Sequence, residues 1–359
     1  MARTKWLRAM DILLAGGLLS AVCSCSAIDE DLSDCGEELT IDYDLHLVTN
    51  LNIELQTELD RRNDANLIRA LREYLSPVFV DYAHDIDLSF YDVQGDSARL
   101  HHVQDIMDAN EVVYTLFLPR RDYMHTAVAN VQDNEVVTLE GDSYCHTARL
   151  WQQRGDTVST HRTGLFTARQ KLEIKEGVSQ TLHVDLYMAN CAAALVLDTS
   201  LATLKDIKVV ATGFASRFNI ADSTYLFAEH PPIVMTDRIE TGNNGQMCFG
   251  TVNLPSKEPR DIEATGEDIR GTRTIIQAEE PFVSEDAIDA LWQFHVYTTL
   301  PDGKVTRSVL GVKKPLRPGQ LKILHAQVFP NGALESDEKE VGVSITLDWK
   351  QGGQHEIPL

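Results

Sequence analysis

The clearest regularity along this chain is alternation, with apolar and polar residues exchanging places at a period of two. Ile41, Tyr43, Leu45 and Leu47 alternate with Asp42, Asp44 and His46. Leu182, Val184, Leu186 and Met188 alternate with His183, Asp185 and Tyr187. The same beat returns in Trp292, Phe294 and Val296, and again in Val341, Val343, Ile345, Leu347 and Trp349. Successive side chains of a strand point to opposite faces. The pattern therefore predicts strands with one face on a core and one in water, as in antiparallel sheets. Turn residues fall between them: Gln94-Gly95-Asp96, Gly141-Asp142, Pro301-Asp302-Gly303 and Arg317-Pro318-Gly319. Val296 to Thr306 reads as a hairpin around Pro301-Asp302-Gly303. One helix interrupts the strands. With Asn63 or Asp64 as N-cap, Leu67, Ile68, Leu71, Tyr74 and Leu75 recur at helical spacing, and Pro77 follows the end.

The expected fold class is all-β with one helix in a crossover connection. A boundary is expected at 189/190. The alternating strand 182–188 closes one unit there, and the nearly continuous apolar run Cys191-Ala192-Ala193-Ala194-Leu195-Val196-Leu197 opens the next. Residues 39–189 then form an N-terminal β-sandwich that carries the helix, and residues 190–359 a C-terminal one. Ser256 to Thr272, charged and carrying Pro259, Gly266 and Gly271, reads as a long surface loop in the second unit.

The first forty residues follow a different rule. Arg3, Lys5 and Arg8 precede the apolar run from Ile12 to Leu19, which is short for a membrane span and has no stop-transfer pattern behind it. It reads as the core of an export leader. Lipoprotein signal peptidase prefers a small or β-branched residue three before the modified Cys and a small one just before it. Cys25, with Val22 and Ser24, fits better than Cys23, with Ser20 and Val22. No Ala-x-Ala site supports ordinary cleavage. Residues 1–24 are thus expected to be a lipoprotein signal peptide and Cys25 the lipidated residue. Residues 25–38, with Asp29-Glu30-Asp31, form an acidic tether. Stable anchoring then requires a multiply acylated cysteine, because a single chain binds membranes marginally.

Composition narrows the classes further. Removing the leader leaves about 335 residues, which suits two sandwich domains better than one. A formal net charge of −22 without Lys/Arg clusters excludes a nucleic-acid partner. Cys35, Cys145, Cys191 and Cys248 remain in a compartment that permits disulfides. Four cysteines allow three pairings. Cys191 and Cys248 sit in apolar stretches, as buried thiols do, whereas Cys35 and Cys145 lie in polar, turn-like surroundings and are the favoured pair.

Candidate chemistry is sparse. Gly95-Asp96-Ser97 and Gly141-Asp142-Ser143 resemble hydrolase Gly-Asp-Ser motifs, but neither precedes a helix that would hold a strained nucleophile, and both read as turns. His101-His102, near Asp105, would point to opposite faces of a strand and could not share one ion. Cys145-His146 is a poor thiolate–imidazole pair because adjacent side chains rarely align for proton transfer. His84, Asp85 and Asp87 lack ligand spacing, and Arg154-Gly155-Asp156 is a tripeptide common by chance. Phosphate-cradling glycine loops, His-Glu-x-x-His and calcium loops are absent. No catalytic residue, metal ligand or cofactor is expected.

Several stretches together resemble the FimB-type fimbrial anchor lipoproteins of Bacteroidota. The features that carry the likeness are Cys25, Asp29-Glu30-Asp31, Asp34-Cys35-Gly36 and Ile41-Asp42-Tyr43-Asp44. Further along come Leu88-Ser89-Phe90-Tyr91-Asp92-Val93-Gln94-Gly95, then Leu116-Phe117-Leu118-Pro119 through Tyr123 to Ala127-Val128-Ala129-Asn130. Leu316-Arg317-Pro318-Gly319-Gln320-Leu321 and Asp348-Trp349 complete it. Gly36 and Asn130 depart from the family's usual Pro and Trp-Gly. The resemblance implies two tandem transthyretin-like, Ig-like Greek-key β-sandwiches on a surface-exposed, outer-membrane lipoprotein. It further implies a structural role in anchoring or terminating fimbriae, with fimbrial subunits as partners through strand complementation. The alternative is a surface glycan- or ligand-binding lipoprotein. That role calls for an exposed aromatic platform in a chain only 7% aromatic.

Overall fold

The computed structural model describes residues 37–44, 51–79, 84–106, 113–132, 134–152, 157–174, 180–228, 230–259, 290–336 and 341–347. Among them the chain is built of strands, with two helices. The first sheet holds β1 (Glu37–Asp44) between β4 (Val113–Leu118), antiparallel, and β10 (Thr181–Asp185), parallel. The second runs β11 (Tyr187–Met188), β9 (Phe166–Glu173), β5 (Asp122–Ala129), β2 (Asp85–Asp92), β3 (Arg99–Ile106). The third runs β17 (Asp237–Ile239), β18 (Gln246–Asn253), β12 (Cys191–Asp198), β21 (Leu321–Val328), β22 (Leu334–Glu335). The fourth is the longest: β23 (Val341–Leu347), β20 (Val305–Val312), β19 (Trp292–Thr299), β13 (Asp206–Thr212), β16 (Ile233–Met235), β8 (Thr157–Val158). The fifth runs β15 (Thr224–Leu226), β14 (Arg217–Asn219), β7 (Arg149–Gln152), β6 (Val137–Glu140).

The apolar run 191–197 shows why the layers stack as they do. It forms β12, which pairs with β18 on one side and with β21, in parallel, on the other. Ala192, Ala194 and Val196 face one core with both helices and the first two sheets; Cys191, Ala193, Leu195 and Leu197 face a second core under the fourth sheet. A strand covered on both faces needs no polar alternation. A third core, with Tyr91, Val128, Leu150, Phe218 and Tyr225, lies between the second and fifth sheets. Strands from either side of residue 190 mix in two places: β8 extends the fourth sheet, and β14 pairs with β7 in the fifth.

The sequence predicted one helix, and the described residues form two: α1 (Leu51–Arg62) and α2 (Ala65–Phe79). Asp64 caps α2, its Oδ1 accepting the Leu67 amide at 3.0 Å. Pro77 lies inside the final turn rather than after it. The missed α1 buries only Leu51, Leu55 and Glu58, too thin an apolar stripe to register as a period. The alternating stretch 182–188 also differs from expectation. It breaks at Leu186, so that β10 joins the first sheet and β11 the second. The 296–306 hairpin forms as read, with Gly303 at φ +84 in the turn.

Candidate functional site

The features most open to a partner are sheet edges. β23 is the outermost strand of the fourth sheet, paired with β20 from Thr306↔Leu347 to Val312↔Val341 and with no strand beyond it among the described residues. In the third sheet the two-residue β22 covers only Gln327 and Val328 of β21. The seam between these two edges opens as a cleft of about 640 Å³ lined by Phe329, Pro330, Leu334, Glu335 and Val341. Sharing Phe329 and Glu335, a second cleft of about 660 Å³ continues toward the start of α2. Unpaired backbone groups along an edge, beside apolar side chains, are what an added strand requires.

At the opposite end of the described chain β1 is held on both sides, through Thr40–Asp44 by β10 and Glu37–Asp42 by β4. Any tether upstream would pull on a strand clamped by two neighbours. α1 is tied to the third sheet by charge. Glu58 Oε1 lies 2.8 Å from His325 Nε2 on β21, and both side chains are buried. Burial alone would raise the Glu58 carboxyl. The His325 contact and the charges of Arg61 and Arg62 outweigh it and hold the group below its ordinary value. α2 is joined through Tyr74, whose hydroxyl donates to Asp237 Oδ2 at 3.1 Å, while Arg162 pairs with the same carboxylate at 2.7 Å. Burial first, and the Asp237 charge second, push the Tyr74 hydroxyl up.

The residues that sequence reading singled out occupy structural posts. Ser97 and His146, drawn from two separate motifs, meet: Oγ is 2.5 Å from Nδ1, with both side chains exposed. Asp96 Oδ1 accepts the Ala98 amide, Asp142 pairs with Arg99, and Gly141 at φ +66 sits against Thr147, so both Gly-Asp-Ser segments are interlocked turns. His101 and His102 do face opposite ways, His101 toward Phe90 (5.8 Å between ring centroids) and His102 Nε2 onto Asp87 Oδ2 at 2.6 Å. Asp85 Oδ1 receives the amides of Val131 and Gln132. The His84 amide donates to Asn130 Oδ1, and Asn130, at φ +65, holds a left-handed conformation that asparagine tolerates. Cys145, Cys191 and Cys248 are buried and form no disulfide among the described residues. Burial pushes all three thiols up, Cys248 to about 12 with the Asp64 charge adding to the effect. Cys25, Cys35, Asp29-Glu30-Asp31, Arg154-Gly155-Asp156 and Asp348-Trp349 lie outside the described residues. No group of three metal-ligating side chains exists among those described, and no described helix is long and apolar enough to cross a membrane.

Sequence reasoning missed the Glu58–His325 link and the Phe329–Leu334 cleft. The first joins residues far apart in the chain and left no local signal. The second was foreshadowed by Pro330-Asn331-Gly332, a turn that ends β21 and leads into β22.

What fold and edges define together is a class: a layered all-β protein with sheet edges left open and two helices wedged beneath the third sheet among the described residues. No family model matches the sequence, and no curated protein matches it. Among solved structures it is similar to an adhesin, so named provisionally, from Bacteroides thetaiotaomicron VPI-5482 (TM-score 0.49, 8% identity, 87% of this chain and 98% of that one). It is likewise similar to a provisionally named adhesin from Bacteroides ovatus (TM-score 0.48, 11% identity, 91% and 100%). A third is the fimbrial anchor protein Mfa2 from Porphyromonas gingivalis (TM-score 0.44, 11% identity, 87% and 99%). Likeness this distant carries no function across.

Proposed function

We propose that this chain is a non-enzymatic surface lipoprotein, held in the outer membrane through lipid on Cys25, that anchors or terminates a fimbrial assembly by pairing strands with its subunits. The observation that carries the reading is the outer edge of β23, unpaired among the described residues, beside the Phe329–Leu334–Val341 cleft. The leader with its Val22-x-Ser24-Cys25 pattern supports the anchoring half. In this reading residues 39–189 and 190–359 are two sandwiches on one tether, and Cys35 pairs with Cys145.

Proline on the edge strand tests the pairing. Along β23 the amides alternate between β20 and the outer edge, so of Val343→Pro and Ser344→Pro one breaks the ladder and one removes only an outward donor. A tagged chain recovered from cells should bring fimbrial subunits with it. The proline variant that leaves the melting temperature near wild type should lose them. Undiminished recovery of subunits with that variant would rule out β23 as the pairing edge.

A further inference from the structure

The outer face of the fifth sheet is built unlike the rest of this acidic surface. Its strands come from both sides of residue 190, and their registers set two rows across it. Thr138, Trp151, Arg217 and Leu226 form one row; Glu140, Arg149, Asn219 and Thr224 form the other. The opposite face of the same strands, through Leu150, Phe218 and Tyr225, fills the third core. The outer rows are therefore fixed on a rigid backing.

Arg217 lies over the Trp151 ring at 4.3 Å from its centroid, and Arg149 approaches the same ring at 5.8 Å. The two guanidiniums are not equivalent. Arg149 Nε donates to the Thr147 carbonyl at 3.1 Å, and Glu140 stands directly across the strand from it. Arg217 has Trp151 and Leu226 across its two strands, and no carboxylate contacts it among the described residues. Its Nε is buried without a hydrogen-bond partner. A guanidinium lying over an indole, short of acceptors and with a second arginine beside the ring, is a cationic point with an aromatic wall on a chain of net charge −22.

We infer that this face binds an acidic oligosaccharide, one bearing uronate carboxylates. The carboxylate takes the fork of Arg217, and the pyranose C–H face lies along the exposed part of Trp151. Thr138 and Asn219, a hydroxyl and an amide on the same face, meet the sugar hydroxyls. A four-stranded face with one aromatic, two arginines and neighbouring hydroxyl and amide groups suits a charged sugar ring better than an extended peptide, which would need a free strand edge or pockets at alternate side chains. The inference goes beyond strand pairing at β23 and gives the body of the protein an adhesive face of its own.

Intrinsic fluorescence and calorimetric titration of the full mature chain with oligogalacturonate test it. Neutral maltohexaose and poly-glutamate serve as comparison ligands. Oligogalacturonate should bind and weaken with salt, and maltohexaose should not bind. Trp151→Ala and Arg217→Ala should each lower affinity about tenfold or more, with Arg217→Lys between them and wild type. Arg238→Ala, a remote exposed arginine, should leave binding unchanged. Melting curves identify any variant that fails to fold, and Arg149→Ala then serves as the alternative probe of the same face. Absence of binding, equal binding of poly-glutamate, or indifference to both Trp151→Ala and Arg217→Ala would overturn the inference. Because the two rows lie away from β23, fimbrial anchoring should survive in these variants, so failure here and failure of the proposed function are told apart.

Discussion

Three buried groups among the described residues push stability the same way in acid. Burial lowers His125 from 6.5 to about 4 and His161 to about 3, and Glu58 sits below its usual value. An unfolded chain takes up protons on these histidines as pH falls below about 6.5, while the folded chain keeps them neutral. The stability they contribute is therefore full above that pH and is lost as pH falls toward the folded values. Glu58, with its carboxylate favoured in the folded state, loses its share lower still, as pH falls through its depressed value. Urea unfolding at stepped pH should show stability dropping between pH 6.5 and 4, His125 alone accounting for about 3 kcal/mol. His125→Phe should flatten that limb. A pH-independent midpoint over this range would contradict the burial argument. None of this was legible in the sequence, where His125 is one polar residue in a strand; that it stacks on Phe90 at 4.3 Å depends on the β2–β5 register.

At the scale of elements, packing rather than propensity decides. Gly250 on β18 has no room for a side chain: an added Cβ would lie 2.6 Å from Tyr74 Cε1 and 2.7 Å from Ile239 Cδ1. Gly250→Ala should lift α2 off the third sheet and cost about 1–3 kcal/mol, read as a shift of the urea midpoint. Leu195→Ala, on the opposite face of that sheet, should cost about 2–5 kcal/mol through the cavity it leaves. Strands with strong alternation, such as 292–299, and the apolar β12 were legible because burial on one or two faces writes itself into the residue pattern. α1 was not. Its buried face includes Glu58, acceptable because His325 arrives from β21 and Arg61 and Arg62 pair with the same carboxylate. The candidate edge was legible as a strand, 341–347, but not as an edge, since edge position is a property of neighbours that local pattern does not carry.

For the whole molecule, the exchange of β8 and β14 across residue 190 and the core shared by both helices and the third sheet leave little that could fold alone. Thermal and urea unfolding should be single transitions that coincide by fluorescence and far-ultraviolet circular dichroism. Residues 39–189 expressed alone should lack a cooperative transition, having lost the β14–β15 half of the fifth sheet and the partner surface of α1. Two separated transitions, or an independently folding N-terminal segment, would mean that the cross-pairing is a contact between autonomous units. The turn residues and the 191–197 run marked where one layer ends and the next begins. That the layers trade strands across this point is decided by short pairings such as Phe218↔Leu150, too brief to leave a period in sequence.

Lipid on Cys25, as proposed above, would hold this body, and through it a fimbrium, at the cell surface. The most direct test of that role is the amount of fimbriae retained on cells against the amount shed to the medium in a strain carrying Cys25→Ala. The variant chain, processed or full-length, should be lost from the membrane fraction and fimbriae shed. Fimbriae retained at wild-type level and length, with the variant chain absent from the membrane, would contradict it.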